Sequence, residues 1–194
     1  GLRPHNLLGS APNSMGLTKY KVQTAATAGS SSQIFQGDMV IPLTNGLVDV
    51  SAADGGSVAI LGVMNGCEYI DLDGKPRFDN HYPGTASIKS GTEASVFVYD
   101  NPFQVYEIQA DASLTNAATA QALVHSNAEG TGFGSENGST GKSIGELSVA
   151  SAGATTATDN FRIIGIKDDF EDISVTTAGV IFLVKLNLPF HTAT

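Results

Sequence analysis

The chain has no tryptophan, one cysteine and three methionines in 194 residues, and only 15% of it is charged. A single thiol, Cys67, excludes an internal disulfide, and its strand-like surroundings mark it as a small buried hydrophobe. No stretch approaches the roughly 18 consecutive apolar residues of a membrane-spanning helix, and no basic-then-apolar leader opens the chain. The expectation is a soluble protein with no membrane partner. Acids are missing from residues 1–37, which hold Arg3, Lys19 and Lys21, so the remaining seven bases face all nineteen acids in residues 38–194. A mildly basic start is thus joined to an acidic body, and the start suits an acidic protein surface. The body repels nucleic acid, and no dense Lys/Arg patch with interleaved aromatics offsets that repulsion, so nucleic acid is not expected as a partner.

Strand patterns fill most of what is present. Residues 96–111, VFVYDNPFQVYEIQAD, form the densest β-rich run and contain no glycine. Two arms, 96–99 and 103–110, flank Asp100-Asn101-Pro102, which predicts a β-hairpin at the centre of the core. In its second arm Tyr106, Ile108 and Ala110 point one way and Glu107 and Gln109 the other. Residues 58–70 begin as a continuous apolar run and then alternate, predicting a strand buried on both faces with a bulge or close backbone approach at Gly62 or Gly66. Further strands are predicted at 17–25, 38–43, 47–50, 75–78, 143–149, 161–166 and 180–188, with Asn45-Gly46 as a tight hairpin turn. In the last strand Val180, Phe182, Val184, Leu186 and Leu188 share a face and Pro189 ends the run. Residues 80–84, NHYPG, read as an irregular loop. Residues 113–126 are the one candidate helix, capped by Thr115 or Asn116. Residues 126–142, with five glycines, read as a long exposed loop. The fold class that follows is all-β: an antiparallel β-sandwich or barrel with an extended N-terminal arm, residues 1–16, at most one short helix, and a single β-rich domain over 17–194.

Catalytic and ligand motifs are incomplete. Gly141-Lys142-Ser143 ends like a phosphate-binding loop, but Glu136 stands where that motif has its first glycine, and no helix is predicted to follow. Asp71-x-Asp73-Gly74 lacks the remaining ligands of a calcium loop and reads as a turn. Asp168, Asp169, Glu171 and Asp172 could hold a hard cation but read first as a solvated cluster. His5, His81, His125 and His191 show no paired ligand spacing. A Ser/His/Asp triad could assemble only through the fold, since no nucleophile-elbow motif is present. Asn137-Gly138-Ser139 fits a glycosylation sequon. The expectation is a non-enzyme without cofactor or metal.

Three segments carry a resemblance: Gly1-Leu2-Arg3-Pro4; residues 62–84, GVMNGCEYIDLDGKPRFDNHYPG; and residues 100–111, DNPFQVYEIQAD. With FRIIGI at 161–166 and the late strand ending near His191, they resemble the capsid decoration, or cement, proteins of tailed bacteriophages. Members of that family carry a few residues before Gly-Leu-Arg-Pro, so the expectation is that this chain lacks its native first residues. The resemblance implies a β-rich homotrimer on the outer surface of the virion capsid. There it would bind the major capsid protein and stabilise capsomer junctions against DNA pressure. Within that picture the arm is expected to reach the capsid or a neighbouring subunit through Leu2, Arg3, Pro4, Leu7 and Leu8, with addition of a strand to a sheet edge as one mode and packing on its own domain as the alternative. The other reading is a minor head or tail fibre component, an attachment protein with a carbohydrate- or receptor-binding β-module. Its glycine-rich loop would meet a host glycan, and Phe133 is the only aromatic there.

Overall fold

The computed structural model describes residues 1–8, 16–24, 32–51, 58–114, 116–136, 140–153, 157–167 and 179–192. The acidic cluster at 168–172 and the Asn137 sequon lie outside the described residues. The chain is all-β. In order come β1 (Arg3–Leu7), β2 (Thr18–Lys21), β3 (Ile34–Phe35), β4 (Met39–Pro42), β5 (Val48–Val50), β6 (Gly62–Ile70), β7 (Pro76–Asp79) and β8 (His81–Tyr82). Then follow β9 (Ser95–Tyr99), β10 (Gln104–Gln109), the α-helix α1 (Ala117–Ala122), β11 (Asn127–Ala128), β12 (Gly130–Thr131), β13 (Glu146–Leu147), β14 (Phe161–Ile166) and β15 (Ile181–Leu186). The strand pairs are antiparallel. One sheet has the order β1-β10-β15-β14-β11, and a second has β2-β9-β6-β4-β5 with β7 added on β6.

The second sheet is the middle layer because it is apolar on both faces. From β6, Val63 packs with Met39 and Tyr99 into a core shared with Tyr106, Ile108, Phe161, Phe182 and Val184 of the first sheet. Met64 and Cys67 instead join Val40, Val96 and Val98 on the opposite face, where Ile34, Tyr82 and Ile88 cover them. Burying each such side chain stabilises the fold by about 1.5–3 kcal/mol. Both anticipated glycines are used. A Cβ on Gly62 would stand 2.2 Å from the Tyr99 carbonyl oxygen, and the ladder to β9 slips between Met64 and Gly66. The first is a close backbone approach and the second a bulge.

The predicted central hairpin does not form. Its two arms are β9 and β10, which lie in different sheets, so residues 100–103 carry the chain from one layer to the other. The Asn101 carbonyl accepts from Gln104 N–H at 3.0 Å, with Pro102 second in the turn. Proline there favours turn types whose twist splays the flanking strands apart. Tyr106 bridges the gap that results, donating its hydroxyl to the Tyr99 carbonyl at 3.0 Å.

The described part of residues 126–142 is likewise no exposed loop. It supplies β11 and β12, and Asn127, Ala128 and Phe133 are buried. The Phe133 ring lies between two glycines: a Cβ on Gly130 or on Gly145 would stand 2.5 Å or 2.4 Å from its carbons. Glycine here makes room for a ring. Buried Asp38 fastens the segment, accepting from Phe35 N–H at 2.9 Å and Gly134 N–H at 3.0 Å. Burial nonetheless pushes its carboxyl above the ordinary aspartate range, with those bonds and one from Ser143 opposing the shift.

Local signals fared better. Asn45-Gly46 joins β4 to β5, with Gly46 at φ 80°, and the Asn116 side chain caps α1 by accepting from Thr119 N–H at 2.9 Å. The NHYPG stretch, expected as a loop, contributes β8, whose Tyr82 is fully buried against the second core. Substituting Gly62→Ala must displace backbone and is expected to cost about 1–3 kcal/mol in denaturant unfolding. Tyr106→Ala is expected to cost about 3–5 kcal/mol. A Tyr106→Ala protein that melts like the wild type would contradict this account of the core.

Candidate functional site at the first strand

The residues assigned to capsid contact form β1. Arg3 lies opposite Glu107, Pro4 opposite Tyr106 and Leu7 opposite Gln104, with His5 extra between Pro4 and Asn6. Leu2 N–H donates to the Gly37 carbonyl at 3.0 Å and Leu8 N–H to the Phe103 carbonyl at 2.8 Å, while the Gln104 amide donates to the Asn6 carbonyl at 3.0 Å. The segment is extended, as anticipated, but it is packed as an edge strand on its own sheet. Pro4 fits there because an edge strand has one side free of ladder bonds. Leu2 is 3% exposed and belongs to the core, Pro4 and Leu7 are half-buried, and Arg3 and Leu8 are exposed. A partner that leaves the fold intact therefore meets chiefly Arg3 and Leu8.

Two features shape the surface around them. Glu107 accepts from Lys167 Nζ at 2.7 Å and bonds His5 Nδ1 at 2.8 Å. Burial works to raise its carboxyl, but those two bonds outweigh it and hold Glu107 below the usual glutamate range. Both carboxylate oxygens are engaged, so Glu107 ties β1, β10 and the end of β14 together. On the other side of β1 a groove of about 340 Å³ is lined by Arg3, Pro4, Gln36, Asn65, Lys142 and Ser143. Among the described residues neither Arg3 nor Lys142 has an acid at ion-pair distance. On a chain of net charge −9 this is a local positive field.

The other candidate groups are held in structural roles. Tyr20 donates its hydroxyl to Asp100 at 2.7 Å, and burial together with that carboxylate pushes the phenol up to about 12. His191 Nε2 stands 3.5 Å from the same carboxylate, and His81 Nδ1 4.0 Å from Asp79. His5 is engaged by Glu107, and His191 also lies 3.4 Å from the Tyr20 hydroxyl. Cys67 is buried and points its thiol at the His81 carbonyl, 3.0 Å away, and burial pushes it up to about 12. Asp71 is the plain turn anticipated, accepting from Lys75 N–H and from Arg77 Nε, both at 2.8 Å. Ser143 bridges Glu136 and is followed by β13 rather than a helix. Lys142 and Glu107 were not singled out from the sequence as contact residues. Alternation put Glu107 on the outer face, but its partners come from segments about 60 and 102 residues away.

Because the folded Glu107 carboxyl lies below its ordinary value of 4.5, the unfolded chain binds more protons just below that pH, and stability falls on acidification through it. Asp38, shifted upward, acts in the opposite sense. The readout is therefore a difference: the wild-type melting temperature should drop more steeply below about pH 4.5 than that of Glu107→Gln. Parallel curves would refute the assignment. Comparisons with protein-family models, with curated proteins and with solved structures found no match.

Proposed function

We propose that the protein is a tailed-bacteriophage capsid decoration protein, a homotrimer that sits on the outer surface of the virion, binds the major capsid protein and stabilises capsomer junctions against DNA pressure. The observation that carries this reading is where the resembling segments meet. Gly1-Leu2-Arg3-Pro4 leads into β1 on β10, which belongs to the 100–111 segment. The 62–84 segment opens with Gly62 pressed on Tyr99, immediately before that same segment. The family-like residues thus form one connected framework rather than scattered matches, as suits a structural signature with no enzymatic role. The groove beside β1, where neither Arg3 nor Lys142 has an ion-pair partner among the described residues, supports docking on an acidic protein surface.

A subunit touching several capsid proteins gains avidity with each contact. Binding the assembled lattice and not the dispersed one stabilises it by roughly 4 kcal/mol per site at a free concentration a thousandfold above Kd. The attachment reading through the glycine-rich loop is disfavoured because Phe133, its one aromatic, is buried.

The molar ratio of this protein to the major capsid protein in purified particles, by quantitative peptide mass spectrometry, tests the proposal. A ratio near one supports a lattice-wide role, a few per cent points to a fibre or vertex component, and absence from the particle overturns both. At the contact itself, Arg3→Gln with Leu8→Ser should keep the wild-type melting temperature and weaken capsid binding by about tenfold or more. Undiminished binding would remove β1 from the interface.

A further inference from the structure

Away from β1, four strands of the middle sheet line up residue against residue. Lys21 of β2 faces Ser95 of β9, Ser95 faces Glu68 of β6, and Glu68 faces Phe78 of β7. Directly opposed residues of antiparallel strands project to the same side. This row floors a groove of about 530 Å³, within the range of small-molecule sites, roughly 300–1,000 Å³. Phe78 stands 76% exposed on a strand that is exposed along its whole length. Its ring has no aromatic partner among the described residues.

The polar groups beside that ring are fixed in pairs. Lys19 bonds Glu68, Lys21 bonds Glu93 at 2.8 Å, and Arg77 at the rim bonds Asp71 at 2.8 Å. Every cation lining the groove is thus already neutralised, and no unpaired charge remains to select a phosphate, a nucleic acid or an acidic peptide. β9 and β6, at the centre of the floor, are paired on both sides, so an extended peptide cannot add as a strand within the groove, and the open edges of β2 and β7 lie at its margins. What remains is an exposed aromatic face ringed by carboxylates, ammonium groups and a hydroxyl in fixed positions. A sugar ring complements both parts: its C–H face covers an aromatic ring, and its hydroxyls donate to carboxylates and accept from ammonium groups. We propose that this groove binds a neutral oligosaccharide, with one pyranose ring stacked on Phe78 and its hydroxyls bonded to Glu68, Glu93 and Lys21. The assignment does not depend on the capsid reading, since it concerns a different surface.

The test uses the full chain on an array of neutral and anionic oligosaccharides, followed by saturation-transfer NMR on the strongest neutral binder. Binding of at least one neutral oligosaccharide is expected. It should survive high salt, since no net charge drives it, and weaken roughly tenfold in Phe78→Ala. Phe103→Ala, which removes another exposed ring elsewhere on the surface, should leave it unchanged. Phe78 is exposed enough that its loss spares the fold, and an unchanged melting curve verifies this. No binding across the array overturns the proposal, as does binding confined to anionic sugars or binding that persists in Phe78→Ala. Concentration-dependent self-association that Phe78→Ala abolishes, without saccharide binding, assigns the face to a second copy and also overturns it.

Discussion

The buried hydrogen bond from the Tyr106 hydroxyl to the Tyr99 carbonyl holds the chain at the point where it passes from one sheet to the other. Gly62 packs closely against that same carbonyl, and Tyr99 itself is buried. Leaving a buried carbonyl unpaired costs about 1–3 kcal/mol. Burial also pushes the Tyr106 phenol far above its ordinary range, with Asp100 and Tyr99 adding to the shift. The hydroxyl therefore keeps its proton and remains a donor throughout the working pH range. β1 rests on β10 and β6 rests on β9, so the strands bearing both candidate surfaces are positioned from this junction.

How legible this was depended on the range of the interaction. The alternation in β10 and β15, the Asn45-Gly46 turn and the Asn116 cap are written in adjacent residues, and each formed as anticipated. A period of two tells which residues share a face but not which strand lies alongside, so β9 and β10, consecutive and joined by a short turn, were paired wrongly. Glycine misled for a related reason. Gly130 and Gly145 make room for a ring contributed by Phe133, and a composition rich in glycine and serine looks the same whether it is solvated or packed. For β1, prolines and leucines without period implied an arm, whereas the hydrogen bonds that fix it come from Gly37, Phe103 and Gln104. Of the five contact residues anticipated, the sequence could not distinguish Leu2, which faces inward, from Leu8, which faces out.

The two grooves differ in the physics by which they would select a partner. Beside β1, Arg3 and Lys142 present positive charge with no ion-pair partner among the described residues, so encounters there are steered over a distance of about 8–10 Å and weaken as salt rises. Across the middle sheet, charges cancel in pairs, and selection rests on shape, stacking and hydroxyl geometry at contact range. A molecule with both kinds of surface can be held by one while the other remains open to solvent.

Cys67 adds a practical consequence. Its sulfur is sealed within the middle layer and directed at a backbone carbonyl, in a site that disfavours the thiolate. Oxidants and alkylating reagents act on the thiolate and need access to it, so the native molecule is silent towards them. With only one thiol in the chain, any labelling that occurs counts openings of the middle sheet. The protein thus carries its own clock for that layer, readable without adding a probe.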